Sequence, residues 1–333
     1  MSLEKLPFET PLVDKLSIRI VVDSYYDQFT PKIEHNFVKI EQAKRLPGKQ
    51  MTTLAGEWGL SLHLVASMAG RNSEYLLDFG YTPEIINRNF DILGINPSKI
   101  DGLILSHGHR DHFGGLDGFI KNFRTQMRDD IKLFVGGETI FREKWMGGKN
   151  KDPLPWGAID RSSLTALNVG QVCCDKPHIL KNAFTSGFIE RSSFETVSGG
   201  TLVEEFDDHF SESERQGKLV LDEHPDEHAT CYMVQGRGLV VISSCGHAGI
   251  INTVKTAMAI ANTDKLHAVV GGFHLGLAPN EYIEHTVDEL ILLNPDVVMP
   301  MHCTGVKFIE SMRRRMNKAL VTTNLGGLFT FGL

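Results

Sequence analysis

The chain has 333 residues, 41% hydrophobic and 23% charged, with 34 Lys+Arg against 41 Asp+Glu for a formal net charge of −7. Such proportions belong to folded globular proteins and exclude a disordered, collagenous or fibrous chain. The acidic balance argues against a broad nucleic-acid footprint and for a small-molecule partner, while 14 histidines stand out, because imidazole is well suited to metal ligation and to proton transfer near neutral pH.

The N-terminal run Met1-Ser-Leu-Glu-Lys-Leu-Pro-Phe-Glu9 places acids and a proline where a secretory leader needs a basic start and an apolar core. No run approaches the roughly 20 apolar residues of a membrane span, so a cytoplasmic location without a membrane partner is expected. Five cysteines, an odd number with no Cys-x-x-Cys pair, suggest neither a disulfide framework nor a zinc ribbon. Short apolar runs alternating with helical patterns predict an α/β layered protein. Strands are predicted over 16–23, 60–66 and 75–78, and a helix from Thr82-Pro83, a cap followed by a first-turn proline, to Gly94. Between about 136 and 222 the periodicity fades: Gly147-Gly148, Pro153, Pro155, Gly199-Gly200 and the polar run 207–217 are read as an insertion or lid over a site within a single domain, 1–333. Farther on, Ile251, Val254, Met258 and Ala261 recur at helical spacing, as do Val306, Ile309, Met312 and Met316. Arg313, Arg314 and Arg315 read as a solvated helix face.

Four buried-looking strands each release a histidine at the C-terminal end. The apolar run 103–106 leads into His107, 239–242 into Cys245 and His247, 268–270 into His274, and 297–299 into His302. Ligands of α/β proteins bind outside the carboxyl ends of strands, so these residues can converge. The first is also dense: Ser106-His107-Gly108-His109-Arg110-Asp111-His112-Phe113-Gly114-Gly115. In an extended segment His107 and His109 point to one side and hold one ion, with Asp111 and His112 facing a second as the chain turns into a helix. Imidazole with carboxylate suits zinc, iron or manganese. Gly108, Gly114 and Gly115 are expected to let the backbone turn tightly there. Ligands in excess of the four of a structural zinc site point to catalysis.

The His-x-His-x-Asp-His block resembles the signature of the metallo-β-lactamase superfamily. Glu57-Trp-Gly-Leu-Ser-Leu62, Leu76-Leu-Asp-Phe-Gly80, Leu105-Ser-His-Gly-His-Arg-Asp-His-Phe-Gly-Gly-Leu116, Ser244-Cys-Gly-His-Ala-Gly-Ile-Ile-Asn252, Gly271-Gly-Phe-His-Leu275 and His302-Cys-Thr-Gly305 are similar to successive blocks of one subgroup, the 7,8-dihydropterin-6-methyl-4-(β-D-ribofuranosyl)aminobenzene-5′-phosphate synthase family. The resemblance implies a four-layer αββα sandwich with a dinuclear site at one edge and two divalent ions, zinc first, with iron or manganese as alternatives. It makes His107, His109, Asp111, His112 and His302 metal ligands. Cys245 or His247 would complete the set, as would a middle histidine, for which His228 fits better than His224. Asp78 would support the ligands by accepting an imidazole N–H. His274 would meet the substrate, and Trp58, Arg110 and Arg191 are weaker candidates for lining its pocket.

The expected chemistry is that of a metal-dependent hydrolase or transferase. Paired ions lower the pKa of a shared water from about 16 to about 7. Asp111 would orient the resulting hydroxide and His274 would steady the charge developing on a small phosphorylated or heteroaromatic substrate. The alternatives are a lactonase, phosphodiesterase or hydrolytic dehalogenase and, in another class, a non-catalytic metal-loaded sensor. Flavodiiron redox chemistry would require an acidic residue where His109 stands.

Overall fold

The computed structural model describes residues 9–43, 52–148, 151–197, 199–205 and 218–332. The N-terminal residues 1–8 and the polar run 207–217 therefore lie outside the described residues. Two sheets form the body. One has eight strands in the order Gly170–Cys173, Lys132–Val135, Gly102–Leu105, Arg71–Leu77, Ser61–Met68, Lys15–Val22, Leu328–Phe331 and Lys39–Glu41. The other has seven: His178–Ile179, Phe184–Thr185, Thr230–Val234, Gly238–Ser243, Leu266–Gly271 and Val297–Pro300 in order, with Leu12–Val13 also paired to Thr230–Val234.

Strand alternation explains why these sheets stack and also carry helices. Side chains of successive strand residues point to opposite faces. In Gly238–Ser243, Val240 and Ile242 enter the core between the sheets, where they meet Leu62, Leu64, Val270 and Met299. Leu239 and Val241 point the other way, into a core shared with the helices Ile250–Ile260, Asn280–Leu293 and Val306–Arg315. On the far side, Leu103 and Leu105 pack under the helices Pro83–Leu93 and Leu116–Phe123, while Ile104 faces inward. Strands buried on both faces account for their near-continuous apolar runs. The result is the four-layer αββα sandwich.

The helix 82–94 expected from sequence is found as Pro83–Leu93, ended by Gly94 at φ 66°. Thr82 departs from its expected capping role: its hydroxyl donates to Glu57 Oε2 at 2.8 Å, and Glu57 Oε1 accepts the N–H groups of Tyr81 and Thr82. Arg314 and Arg315 pair across the helix surface with Glu284, and Arg315 also with Asp288, as a solvated face does.

The segment 136–222 is more deeply woven in than an insertion would be. Gly170–Cys173 is an edge strand of the eight-stranded sheet, and His178–Ile179 and Phe184–Thr185 belong to the seven-stranded one. The remainder contributes a separate four-stranded antiparallel sheet, ordered Leu219–Leu221, Thr201–Glu204, Lys144–Gly148 and Lys151–Gly157. Strands of two to seven residues carry too few alternations for periodicity to reveal them.

Candidate metal centre

Parallel pairing brings the functional residues to one edge. Ser243 is in register with Gly271, and Gly271 with Pro300, so the loops bearing Cys245 and His247, His274, and His302 leave the seven-stranded sheet side by side. In the facing sheet, Leu77 is in register with Ile104, which aligns Asp78 with Ser106 and His107. All four histidine-bearing strand ends therefore converge as expected.

The His107-to-Gly115 turn is compact because its glycines admit other backbone. A Cβ on Gly114 would lie 2.1 Å from the Tyr81 carbonyl oxygen, and one on Gly115 2.2 Å from that of Phe79. Gly114 itself has φ −58°, an ordinary helical value, so close approach and not an unusual dihedral demands glycine there. Asp111, His112 and Phe113 are the buried face of the one-turn helix Arg110–Phe113 that follows.

The imidazoles form a continuous cluster. The His107 ring centroid lies 4.6 Å from that of His109, 4.3 Å from His112 and 4.9 Å from His247. His247 is 4.5 Å from His109 and 4.2 Å from His274, and His112 is 4.9 Å from His302. Ligand atoms of His107, His109 and His247 lie within 4.8 Å of one another. The same holds for Cys245 with His107 and His112, with His247 and His274, and with His302 and Cys303, so its sulfur stands between the two halves of the cluster. Asp111 Oδ2 is 3.3 Å from His302 Nε2 and 3.8 Å from His112 Nε2.

The partners on the outer ring nitrogens decide which atoms are left for an ion. His112 Nδ1 bonds Asp78 Oδ2 at 2.7 Å, and His107 Nδ1 lies 3.0 Å from Ser106 Oγ, which in turn donates to Asp78. Their Nε2 atoms, together with Asp111 Oδ1, are buried with no hydrogen-bond partner among the described residues. Leaving a buried polar atom unsatisfied costs about 1–3 kcal/mol each. Several converging on one spot fit a divalent-ion centre, which would satisfy them together. Burial and the neighbouring imidazoles push His107 and His109 well below the usual histidine range, which keeps them neutral as ligands must be. Burial would raise the Asp111 carboxyl, but His112 and His302 outweigh it and hold it at about 2. His302 is lowered by burial yet lifted further by the Cys303 sulfur and Asp111, to about 9.

Two of the remaining candidates part company. His228 Nε2 bonds the backbone carbonyl of Leu105 at 2.9 Å, which ties that nitrogen to the scaffold, and although its Nδ1 is buried without a hydrogen-bond partner, no ring contact among the described residues joins it to the cluster. Its neighbour His224, the less favoured of the pair on sequence, does join. Its ring stacks on His247 at 4.2 Å and meets His109 at 4.9 Å, and burial lowers it to about 4. His274 is placed at the rim, with Nδ1 3.4 Å from the Cys245 sulfur, beside a cavity of about 370 Å³ lined by Phe273, Leu275, Ala278 and Tyr282 among others. Trp58, 55% exposed, lies with its ring 5.0 Å from His302. Arg110 is exposed, and Arg191 is paired with Glu223.

Several residues here carried no signal in the sequence. Glu227, fully buried, accepts the N–H groups of Gly246, His247 and Ala248 at 2.6–2.9 Å and so shapes the Cys245–His247 loop. Cys303 lies with its sulfur 3.3 Å from that of Cys245. Burial opposes its ionisation, but the Cys245 thiol beside it, with His302 and His274, pushes Cys303 well down. Among the described residues, eight non-glycines have positive φ, and four of them, Asp78, His224, His274 and His302, are in or against the cluster. Backbone held in this sparsely populated region tends to gather at functional sites.

Comparison with known proteins agrees with this geometry. Residues 64–126 match the family model described as the metallo-beta-lactamase superfamily. A curated relative from Methanocaldococcus jannaschii, 7,8-dihydropterin-6-methyl-4-(beta-D-ribofuranosyl)-aminobenzene-5′-phosphate synthase, is 31% identical over 256 residues, covering 75% of this chain and 81% of its own. An uncharacterised protein of the same organism is 26% identical over 252 residues, 74% of this chain and 85% of its own. Among solved structures, a metal-dependent hydrolase of the beta-lactamase superfamily superposes with a TM-score of 0.68 at 22% identity, over 94% of this chain and 98% of that one. The chain belongs to the metallo-beta-lactamase superfamily and, within it, to the family of the Methanocaldococcus synthase.

Proposed function

We propose that this protein is a metal-dependent enzyme with a dinuclear centre, acting by hydrolysis or group transfer on a small phosphorylated or heteroaromatic compound. The observation that carries this reading is the set of buried, unpartnered ligand atoms on His107, His112 and Asp111, within one cluster that also contains His109, His247 and His302. His107, His109 and His247 would hold one divalent ion, and Asp111, His112 and His302 the second, with Cys245 between them. Zinc is the first choice of metal for a set mixing imidazole, carboxylate and thiol, with iron or manganese as alternatives. Bound ions supply Lewis acidity towards an anionic oxygen or leaving group and make a coordinated water acidic near neutral pH.

The protein's own groups do the rest. Asp78 and Ser106 hold the outer nitrogens of His112 and His107, so those rings cannot turn away. His274, at the mouth of the cavity, would donate to a substrate phosphate or to the charge that develops as the bond breaks. Phe273 and Tyr282 line that cavity, where a planar ring would find apolar contact. The Methanocaldococcus relative is named as the synthase of a dihydropterin-methyl-ribofuranosylaminobenzene phosphate, and a substrate of that chemical type suits such a cavity. No helix among the described residues is long and apolar enough to cross a membrane.

The test is a screen of the metal-loaded protein against pterin, phosphodiester, lactone and halogenated aromatic substrates. Turnover of any of them fixes the reaction class, and binding of a pterin without turnover would favour the sensor reading instead. With a substrate in hand, His274→Ala is expected to lower kcat by about 10²–10³, as loss of an oxyanion donor does, while metal content stays at the wild-type value. Loss of an ion in that variant would make His274 a metal ligand.

A further inference from the structure

The four-stranded outer sheet reaches the metal centre through a buried polar ring that the roles assigned above leave unused. Lys144, 1% exposed, begins the strand Lys144–Gly148 and donates to Asp222 Oδ2 at 2.5 Å and Asp226 Oδ1 at 3.3 Å. The other oxygen of Asp226 accepts the N–H of Gly108, the residue between His107 and His109, at 2.7 Å. On the opposite side Thr201, first in its strand, places Oγ1 3.0 Å from His109 Nε2 and 3.5 Å from His224 Nε2. His224 Nδ1 lies 3.4 Å from Asp222 Oδ2, and its backbone N–H donates to Asp222 Oδ1 at 3.0 Å, which closes the ring back onto Lys144.

The same residues do not form a third ion site. His109, Asp222 and His224 are near enough together to hold a cation, but the Lys144 ammonium already sits on Asp222, and an added cation would face a like charge at contact distance. The ring is filled by a cation of the protein itself.

Its proton pattern runs in one direction. With Nε2 of His109 tied to Thr201, Nδ1 is the nitrogen left for an ion, so Nε2 carries the proton and donates to Thr201 Oγ1. A hydroxyl has one proton, and Thr201 can then give its own to His224 Nε2. His224 would then carry its proton on Nδ1, an atom with no hydrogen-bond partner among the described residues, 3.4 Å from the Asp222 oxygen that Lys144 neutralises.

We propose that Thr201 and His224 are positioning residues that fix the tautomer and orientation of His109. Lys144, acting through Asp226 and Gly108, pins the same two-histidine loop from its other side, so the outer sheet is a working part of the metal centre and not only its cover. This rests on the reading of His107, His109 and His247 as ligands of one ion.

The test is competition titration of the full-length protein with cobalt(II) against a chromophoric chelator, for the wild type, Thr201→Val, Thr201→Ser and His224→Gln, with melting curves to establish folding. Thr201→Val, which keeps the side-chain shape, is expected to bind one of two ions about 10–100-fold more weakly, the usual cost of losing an outer partner of a ligating histidine. The cobalt absorption bands of that ion alone should shift, and Thr201→Ser should restore both affinity and spectrum. Wild-type affinities and spectra in both Thr201→Val and His224→Gln would overturn the proposal. A wild-type protein that binds no ion would instead overturn the metal reading beneath it, a separate and visible result.

Discussion

Replacing Asp111 or His302 with alanine is expected to abolish turnover and to reduce bound metal from two ions per chain towards one. Each loss of activity should exceed about 100-fold, beyond what removal of a residue that merely orients a ligand costs. The two residues meet at 3.3 Å, through Asp111 Oδ2, in the half of the cluster that also holds His112, and Asp111 Oδ1 has no hydrogen-bond partner among the described residues. Removing either therefore strips a ligand from the same ion. Asp111→Asn, which preserves shape, separates loss of the negative ligand from any loss of packing. Metal analysis beside the activity measurement checks the outcome, and unchanged activity with two ions retained in both alanine variants would remove the catalytic reading of this half of the site.

The largest effect on stability is expected from Lys144→Met. The lysine is fully enclosed between Asp222 and Asp226, and its removal leaves two buried carboxylates without their cation. Breaking a buried pair from one side costs about 3–5 kcal/mol. The pH dependence carries a definite sign. Burial raises the Asp226 carboxyl, but Lys144, with His224 and the Gly108 N–H, more than offsets this and holds it below its ordinary value. In the wild type, Asp226 therefore contributes stability that is present above the unfolded carboxyl pKa of about 4 and is lost as pH falls through the lower folded value. In Lys144→Met the largest force opposing burial is lost, the Asp226 carboxyl accepts a proton more readily in the folded state, and the penalty shrinks as pH falls towards 4. Denaturant midpoints at pH 7 and pH 4.5 measure both effects; a penalty below about 1 kcal/mol at pH 7, the size of an exposed pair, would contradict the account.

What was legible in the sequence was local or strictly periodic. His107, His109, Asp111 and His112 lie within six residues, and the chemistry of the cluster follows from their types and spacing. The strands that deliver Cys245, His247, His274 and His302 are buried on both faces, so their apolar runs announce them and the edge at which they end. The ring of Lys144, Thr201, Asp222, His224 and Asp226 was not legible for the opposite reason. Lys144 reads as one more surface charge beside Glu143, and its burial is set by partners 78 and 82 residues away. In sequence His228 stands nearer the strand Thr230–Val234 than His224 does, whereas the chain directs His228 to the Leu105 carbonyl and lays the His224 ring on His247. With only three residues between the two, spacing alone does not say which ring faces the centre. The outer sheet was missed because its strands are short and pair across long separations, as Leu202 does with both Trp145 and Leu221.

The central claim, that the converging histidines and Asp111 form a two-ion centre, is tested most directly by counting metal in the purified chain. Elemental analysis after supplementation with zinc, iron or manganese and removal of free ions should find close to two divalent ions per chain, released by a strong chelator. A folded, homogeneous preparation that retains none after the same supplementation would contradict it.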